Sequence, residues 1–194
     1  FRSLGFEVET DGAGNVIARQ EKSRRGPWVA LTAHLDTVLS PRTPEDIRVE
    51  PNGKFIGPGV SDNGAGLAAL LAVAKAVSSS PPIEDLHGSL LLIANVGEEG
   101  EGDLSGMRYL CRQSRFAGDL KALVVLDGPA TDHITCQALE CRRYEVTFAG
   151  PGGHSWSDYG TGNPVHALCR MVDLYCDQLN DGASAPGARV SFNF

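Results

Sequence analysis

SLLLIANVGEEGEG, residues 89–102, decides the fold. Its first half is apolar without alternation, the pattern of a strand covered on both faces. Its second half is glycine and carboxylate, so a buried strand ends directly in Glu98 and Glu99. Adjacent side chains on an extended segment point opposite ways, so these two are expected to face apart and to have different tasks.

The same pattern recurs on either side. WVALTA (28–33) and KALVVLD (121–127) read as further buried strands. GLAALLAVAKAVSSS (66–80) reads as a helix ended by Pro81 and Pro82, and SGMRYLCRQSRF (105–116) as a second helix. VETDGAGNVIAR (8–19) reads as a hairpin about its DG and GN dipeptides. Apolar strands alternating with helices predict an α/β fold with a mostly parallel sheet flanked by helices. After Asp127 the pattern changes. HITCQAL (133–139) and RRYEVTFAG (142–150) alternate with period two. NPVHALCRMVDLYCDQLN (163–180) reads as a helix with Asn163 as N-cap and Pro164 in its first turn, and ARVSFNF (188–194) as the start of a strand. The expected division is a catalytic domain over 1–139 and a partial second α+β domain, a lid or dimerisation element, over 140–194.

Composition narrows the class. The chain has 194 residues, 42% hydrophobic and 21% charged, as soluble globular proteins do. A net charge of −7 argues against a nucleic-acid binder. GLAALLAVAKAV is too short for a membrane span and contains Lys75. Five cysteines without a CxxC pair fit a reduced, cytoplasmic setting, as core or surface thiols without a catalytic role. The chain starts at Phe1 without a Met and is expected to be a fragment.

Each expected parallel strand runs into an acid or a histidine: His34 and Asp36, then Glu98 and Glu99, then Asp127. The carboxyl ends of parallel strands form the edge where ligands bind, so these groups are expected to meet. Taken singly, each has a plain alternative. Asp62 in GVSDNGAG serves equally as a helix cap, Glu98 and Glu99 as a solvated acidic loop, and Asp127 before Gly128 as a turn residue. Taken together they leave the shared edge unexplained. Clustered carboxylates repel unless a cation compensates them, which points to metal.

AHLDTV (33–38), GPGVSDNGAGLAALLA (57–72), NVGEEGEG (95–102), LDG (126–128) and GPGGHSW (150–156), in that order, resemble the co-catalytic zinc hydrolases. That family includes peptidase T, carboxypeptidase G, aminoacylase, succinyl-diaminopimelate desuccinylase and acetylornithine deacetylase. The resemblance covers nearly the whole chain and implies two zinc ions per complete active site. It implies that His34, Asp62 and Asp127 ligate the first zinc, that Asp62 bridges, and that Glu99 ligates the second. Asp36 would accept the other ring N–H of His34 and fix its tautomer. Glu98 would act as general base on the water between the metals. His154 would stabilise the oxyanion, commonly in the partner subunit's site. The peptide bond after Asp62 would be cis, and Gly64, Ala65 and Gly66 would let the metals approach the backbone. Glu101, Asp103, His87, His133 and His166 are given no role.

The chain departs from this pattern in two places. The family's second zinc takes a further histidine from a segment after the lid, which this sequence does not contain, and only 33 residues precede His34. The expectation is one zinc bound readily and a second weakly. HLDTV and GGHSW look most like the tripeptidase branch, so the leading expectation is hydrolysis of short peptides. The alternatives are an N-acyl-amino-acid deacylase or desuccinylase, a catalytically silent metal-binding or dimerisation fragment, and an acidic interaction domain without metal. The expected partners are a small peptide or N-acyl amino acid and a second copy through the lid, with no nucleic acid and no membrane.

Overall fold

The computed structural model of the chain describes residues 1–20, 27–39, 42–80, 89–128, 131–138, 141–180 and 191–194. It divides into two compact units, Phe1–Ile134 and Thr135–Phe194. The boundary expected at 139/140 lies outside the described residues, as do Pro81, Pro82, His87 and the start of the last expected strand.

In the first unit the strands are β1 (Phe6–Thr10), β2 (Val16–Gln20), β3 (Trp28–His34), β4 (Arg48–Val49), β5 (Phe55–Ile56), β6 (Ser89–Asn95) and β7 (Leu120–Val125). Two helices accompany them, α1 (Gly66–Ser79) and α2 (Ser105–Arg112). Five strands form one sheet in the order β1-β2-β6-β3-β7, and β4 and β5 form a separate ribbon. β3 is parallel to both β6 and β7, whereas β2 is antiparallel to β1 and to β6. The sheet is therefore mixed, with its parallel part in β6-β3-β7. The hairpin turn is held by Asp11, whose carboxylate accepts the N–H groups of Ala13, Gly14 and Asn15 at 2.9, 3.0 and 3.0 Å.

Period-two alternation sorts the core into two layers. Ala18, Ala33, Leu92 and Ala94 pack against Leu70 and Ala74 of α1. Ile17, Trp28, Ala30, Leu91 and Ile93 face the other way, against Leu110 of α2 and Phe116. Trp28 and Phe116 meet edge to face with centroids 5.3 Å apart. β6 is thus covered on both faces, which is why SLLLIA has no polar alternation. β7 differs from the expectation of a buried strand: Val125 is 57% exposed. It stands last in the sheet order, with its outer edge unpaired among the described residues. α2 also stops earlier than expected. Gln113 leaves helical geometry, and the Ser114 hydroxyl donates to Leu110 O at 2.6 Å and accepts the Phe116 N–H at 3.2 Å. An apolar stretch of 20 residues runs over Val60–Ser79, but Asp62 and Asn63 break helical geometry inside it.

The second unit contains α3 (Pro164–Asn180). Asn163 caps it, its Oδ1 accepting the N–H groups of Val165 at 2.8 Å and His166 at 3.2 Å. Tyr175 packs edge to face with Phe192 and Phe194. Among the described residues of this unit no strand forms. Tyr144, Val146 and Phe148 keep the alternation of a strand but are all exposed, with no partner strand among the described residues.

Candidate metal centre

The site begins where β3 ends. Past the sheet, the N–H of Leu35 still donates to Asn95 O and that of Leu126 to Thr32 O, both at 2.8 Å. These bonds keep the ends of β6, β3 and β7 level. His34, the last residue of β3, is 2% exposed. Its Nδ1 lies 2.8 Å from the backbone carbonyl of Asp36, so this nitrogen carries the ring N–H. Its Nε2 lies 2.9 Å from Asp62 Oδ1 and 3.7 Å from Asp127 Oδ2.

Asp62 reaches this position from an irregular turn, Val60–Ala65, in which the Asp62–Asn63 peptide bond is cis. Asn63 is buried. Its Nδ2 donates to Leu126 O at 2.9 Å and its Oδ1 accepts the Gly66 N–H at 3.1 Å. One amide thus ties the residue after Asp62 to the residue before Asp127. A Cβ at Gly66 would collide with Asn63 Oδ1 and Leu126 O, so glycine is required here by the link itself. Sequence reasoning passes over Asn63; its only signal is an amide set between an acid and a glycine-rich helix start.

Two expectations are corrected beyond β6. Glu98 and Glu99 do not face apart: their carboxylates and the His34 ring each offer a donor atom, all within 4.8 Å of one another. The reason is that the chain has left the strand after Asn95, and Gly97 has φ 64°. Strand alternation no longer applies there. Asp36 also differs. Its carboxylate lies 3.7 Å from His34 Nδ1, too far for a hydrogen bond. Instead it accepts the backbone N–H of Glu98 at 3.2 Å and of Glu99 at 2.8 Å.

The electrostatics follow from this crowding. Burial alone would lower the His34 pKa, but the bond to the Asp36 carbonyl and the charges of Asp127, Glu98 and Asp36 outweigh it and hold it above the ordinary value. Burial pushes the Glu98 carboxyl up, against a pull from His34 and with the added repulsion of Asp127, Glu99 and Asp36. Burial acts on Asp36 in the same sense, but the N–H groups of Glu99 and Glu98 prevail and hold it low.

Two sets of donors result: His34, Asp62 and Asp127, and His34, Glu98 and Glu99, each within 4.8 Å. Atoms that ligate one zinc at 2.0–2.2 Å lie at most about 4.4 Å apart, so a small closure suffices. An imidazole nitrogen whose proton a cation can displace, surrounded by carboxylate oxygens, is the donor chemistry of a zinc-type cation. The residues present fit such an ion. Among the described residues no set of three holds both Asp62 and Glu99, the pair expected to share the second ion.

His154 lies in the second unit. Its Nδ1 accepts the Trp156 N–H at 3.2 Å, and its own backbone N–H donates to Asp158 Oδ2 at 2.7 Å. In the neutral ring the proton is therefore on Nε2. His133 is exposed and pairs with Asp132, and Asp103 pairs with Arg108.

The model of peptidase family M28 matches residues 15–141. Succinyl-diaminopimelate desuccinylase of Herminiimonas arsenicoxydans is 24% identical over 193 residues, covering 92% of this chain and 50% of the relative. That of Rhodospirillum rubrum is 25% identical over 203 residues, covering 95% and 51%. The chain spans about half the length of the curated relatives it matches. Among solved structures, a tripeptidase from Staphylococcus aureus is 24% identical with a TM-score of 0.44 over 66% of this chain and 35% of its own. Aminoacylhistidine dipeptidase from Vibrio alginolyticus is 22% identical with a TM-score of 0.43 over 92% and 41%.

Proposed function

The chain belongs to peptidase family M28, and from that premise we propose that it carries the metal site of a zinc-dependent hydrolase of amide bonds in short peptides. The observation that carries this reading is the convergence of His34, Asp62, Asp127, Glu98 and Glu99 at the ends of β3, β6 and β7.

His34, Asp62 and Asp127 would hold one ion, with Glu99 offered to a second. When bound, the metal compensates the carboxylates and polarises the scissile carbonyl as a Lewis acid. Glu98, whose affinity for a proton is raised, accepts the proton of the attacking water and passes it to the leaving nitrogen. His34 keeps its Nδ1 proton on the Asp36 carbonyl, so Nε2 is the atom offered to the metal. His154, with its Nδ1 already accepting a backbone N–H, keeps Nε2–H as a donor, and by the family resemblance such a donor would stabilise an oxyanion, commonly in a partner subunit's site.

A second reading, an N-acyl-amino-acid deacylase, is favoured by the desuccinylases that match 92–95% of this chain. Parallel assays of the purified protein on a tripeptide and on an N-succinyl amino acid separate the two. In either case Glu98→Gln should lower kcat by roughly 10²–10⁴-fold with the fold intact. Hydrolysis that survives both this substitution and exhaustive chelation would sink the proposal.

A further inference from the structure

We propose that Asn15 is a positioning residue for Glu98 and Glu99, closing the neck of the loop that carries them. The GN dipeptide at Gly14 and Asn15 reads as an ordinary hairpin turn, and the Asp11 carboxylate does close that turn. The side chain of Asn15 reaches further. It is fully buried, its Oδ1 accepts the Val96 N–H at 3.1 Å, and its Nδ2 donates to Gly106 O at 2.9 Å. The Gly106 N–H in turn donates to Val96 O at 3.1 Å. These bonds join the two ends of the segment 96–106, within which Glu98 and Glu99 sit. The other hydrogen of Nδ2 goes to Asp11 Oδ2 at 2.7 Å, so the amide is satisfied and its orientation fixed.

That loop needs such a closure. Asp103 and Leu104, near its far end, have φ of 50° and 57°. Two consecutive left-handed residues with side chains persist only where the surroundings hold them. Glu98 and Glu99 meanwhile converge with His34, and like charges favour spreading. A Cβ at Gly106 would collide with Asn15 Oδ1 and with Val96 O, so the two ends of the loop approach as closely as bare backbone allows. Asn15 holds them at that separation, and through them it places both carboxylates relative to the end of β6. It touches neither carboxylate. The hairpin thus acts on the site through the main chain of the loop.

The catalytic consequence rests on the function proposed above, whereas the structural core of the inference does not. Backbone amide exchange followed by NMR in the chelated protein tests the core. In Asn15→Ala the turn keeps its bonds to Asp11 Oδ1, because Asn15 contributes only its backbone N–H there. Exchange at Val96 and Gly106 should accelerate at least about tenfold, and that of Gly102, whose N–H donates to Glu99 O, should follow. Leu92 and Ile93 should be unchanged, since a general loss of stability would move them equally. Gly106→Ala attacks the same clasp from its other end and serves if Asn15→Ala fails to fold. Activity tests the consequence. Asn15→Ala should lower kcat roughly 10–100-fold with KM within about twofold, and should cost little more in a Glu98→Gln background. Acceleration confined to Val96 and Gly106, or an equal rise at Leu92 and Ile93, would overturn the inference, as would a kcat loss undiminished in Glu98→Gln. A wild-type chain that hydrolyses neither a tripeptide nor an N-succinyl amino acid would refute the proposed function and leave the exchange result to decide this one.

Discussion

At His34 one imidazole faces the carboxylates of Asp62 and Asp127 from one nitrogen and a carbonyl from the other. Its pKa is held above 6.5 in the folded chain, while in the unfolded chain it returns to that ordinary value. The stabilisation from this protonation is complete below the unfolded value and is lost as pH rises through the folded one. The chelated protein should therefore melt at a lower temperature at about pH 8 than at about pH 6, and scanning calorimetry checks the sign. A metal bound at Nε2 replaces that proton and should remove this part of the dependence. Thr32, two residues earlier on β3, is 1% exposed, and its hydroxyl has no partner among the described residues. A buried hydroxyl left unpaired costs about 1–3 kcal/mol, so Thr32→Val should be neutral to stabilising by about 1 kcal/mol in denaturant unfolding. A loss of stability would mean that the hydroxyl is satisfied in solution.

The turn Val60–Ala65 is the element that makes a site out of strand ends. Without it, Asp62 would lie on the helix start and Asp127 at a separate strand end. Asn63 joins them by bonding Leu126 O and the Gly66 N–H. Asn63→Ala removes both bonds, one of them buried and the other part-buried, at a cost of about 1–3 kcal/mol. Zinc affinity should fall with it, since Asp62 and Asp127 lose their common reference. Gly66→Ala should reproduce that loss with Asn63 still present, because the new Cβ occupies the space of the link. A calorimetric zinc titration of the two variants checks both; wild-type affinity in Gly66→Ala would show that the turn tolerates displacement. The Asn15 clasp is the counterpart at the end of β6, and each of these two amides fixes a different pair of carboxylates.

Across the whole molecule, metal should act unevenly. An ion that binds only the folded first unit stabilises it by about 2.7 kcal/mol at one hundred times its Kd. Chelation should then lower the unfolding midpoint of Phe1–Ile134 and leave that of Thr135–Phe194 unchanged, as domain-resolved amide exchange would show. A uniform response would mean that the units unfold as one. The sequence by itself determined the alternation of apolar strands and helices, because an unbroken apolar run such as SLLLIA is stable only under cover on both faces. It also named the residues at the strand ends, since local order alone puts His34, Glu98, Glu99 and Asp127 just beyond strands. Only the tertiary structure decided what these residues touch. The open face of β7, the convergence of Glu98 with Glu99 and the commitment of Asp36 to two amides depend on partners distant in sequence. Side-chain direction in a glycine-flanked loop follows no period. It is settled by which acceptor from another strand meets its N–H groups.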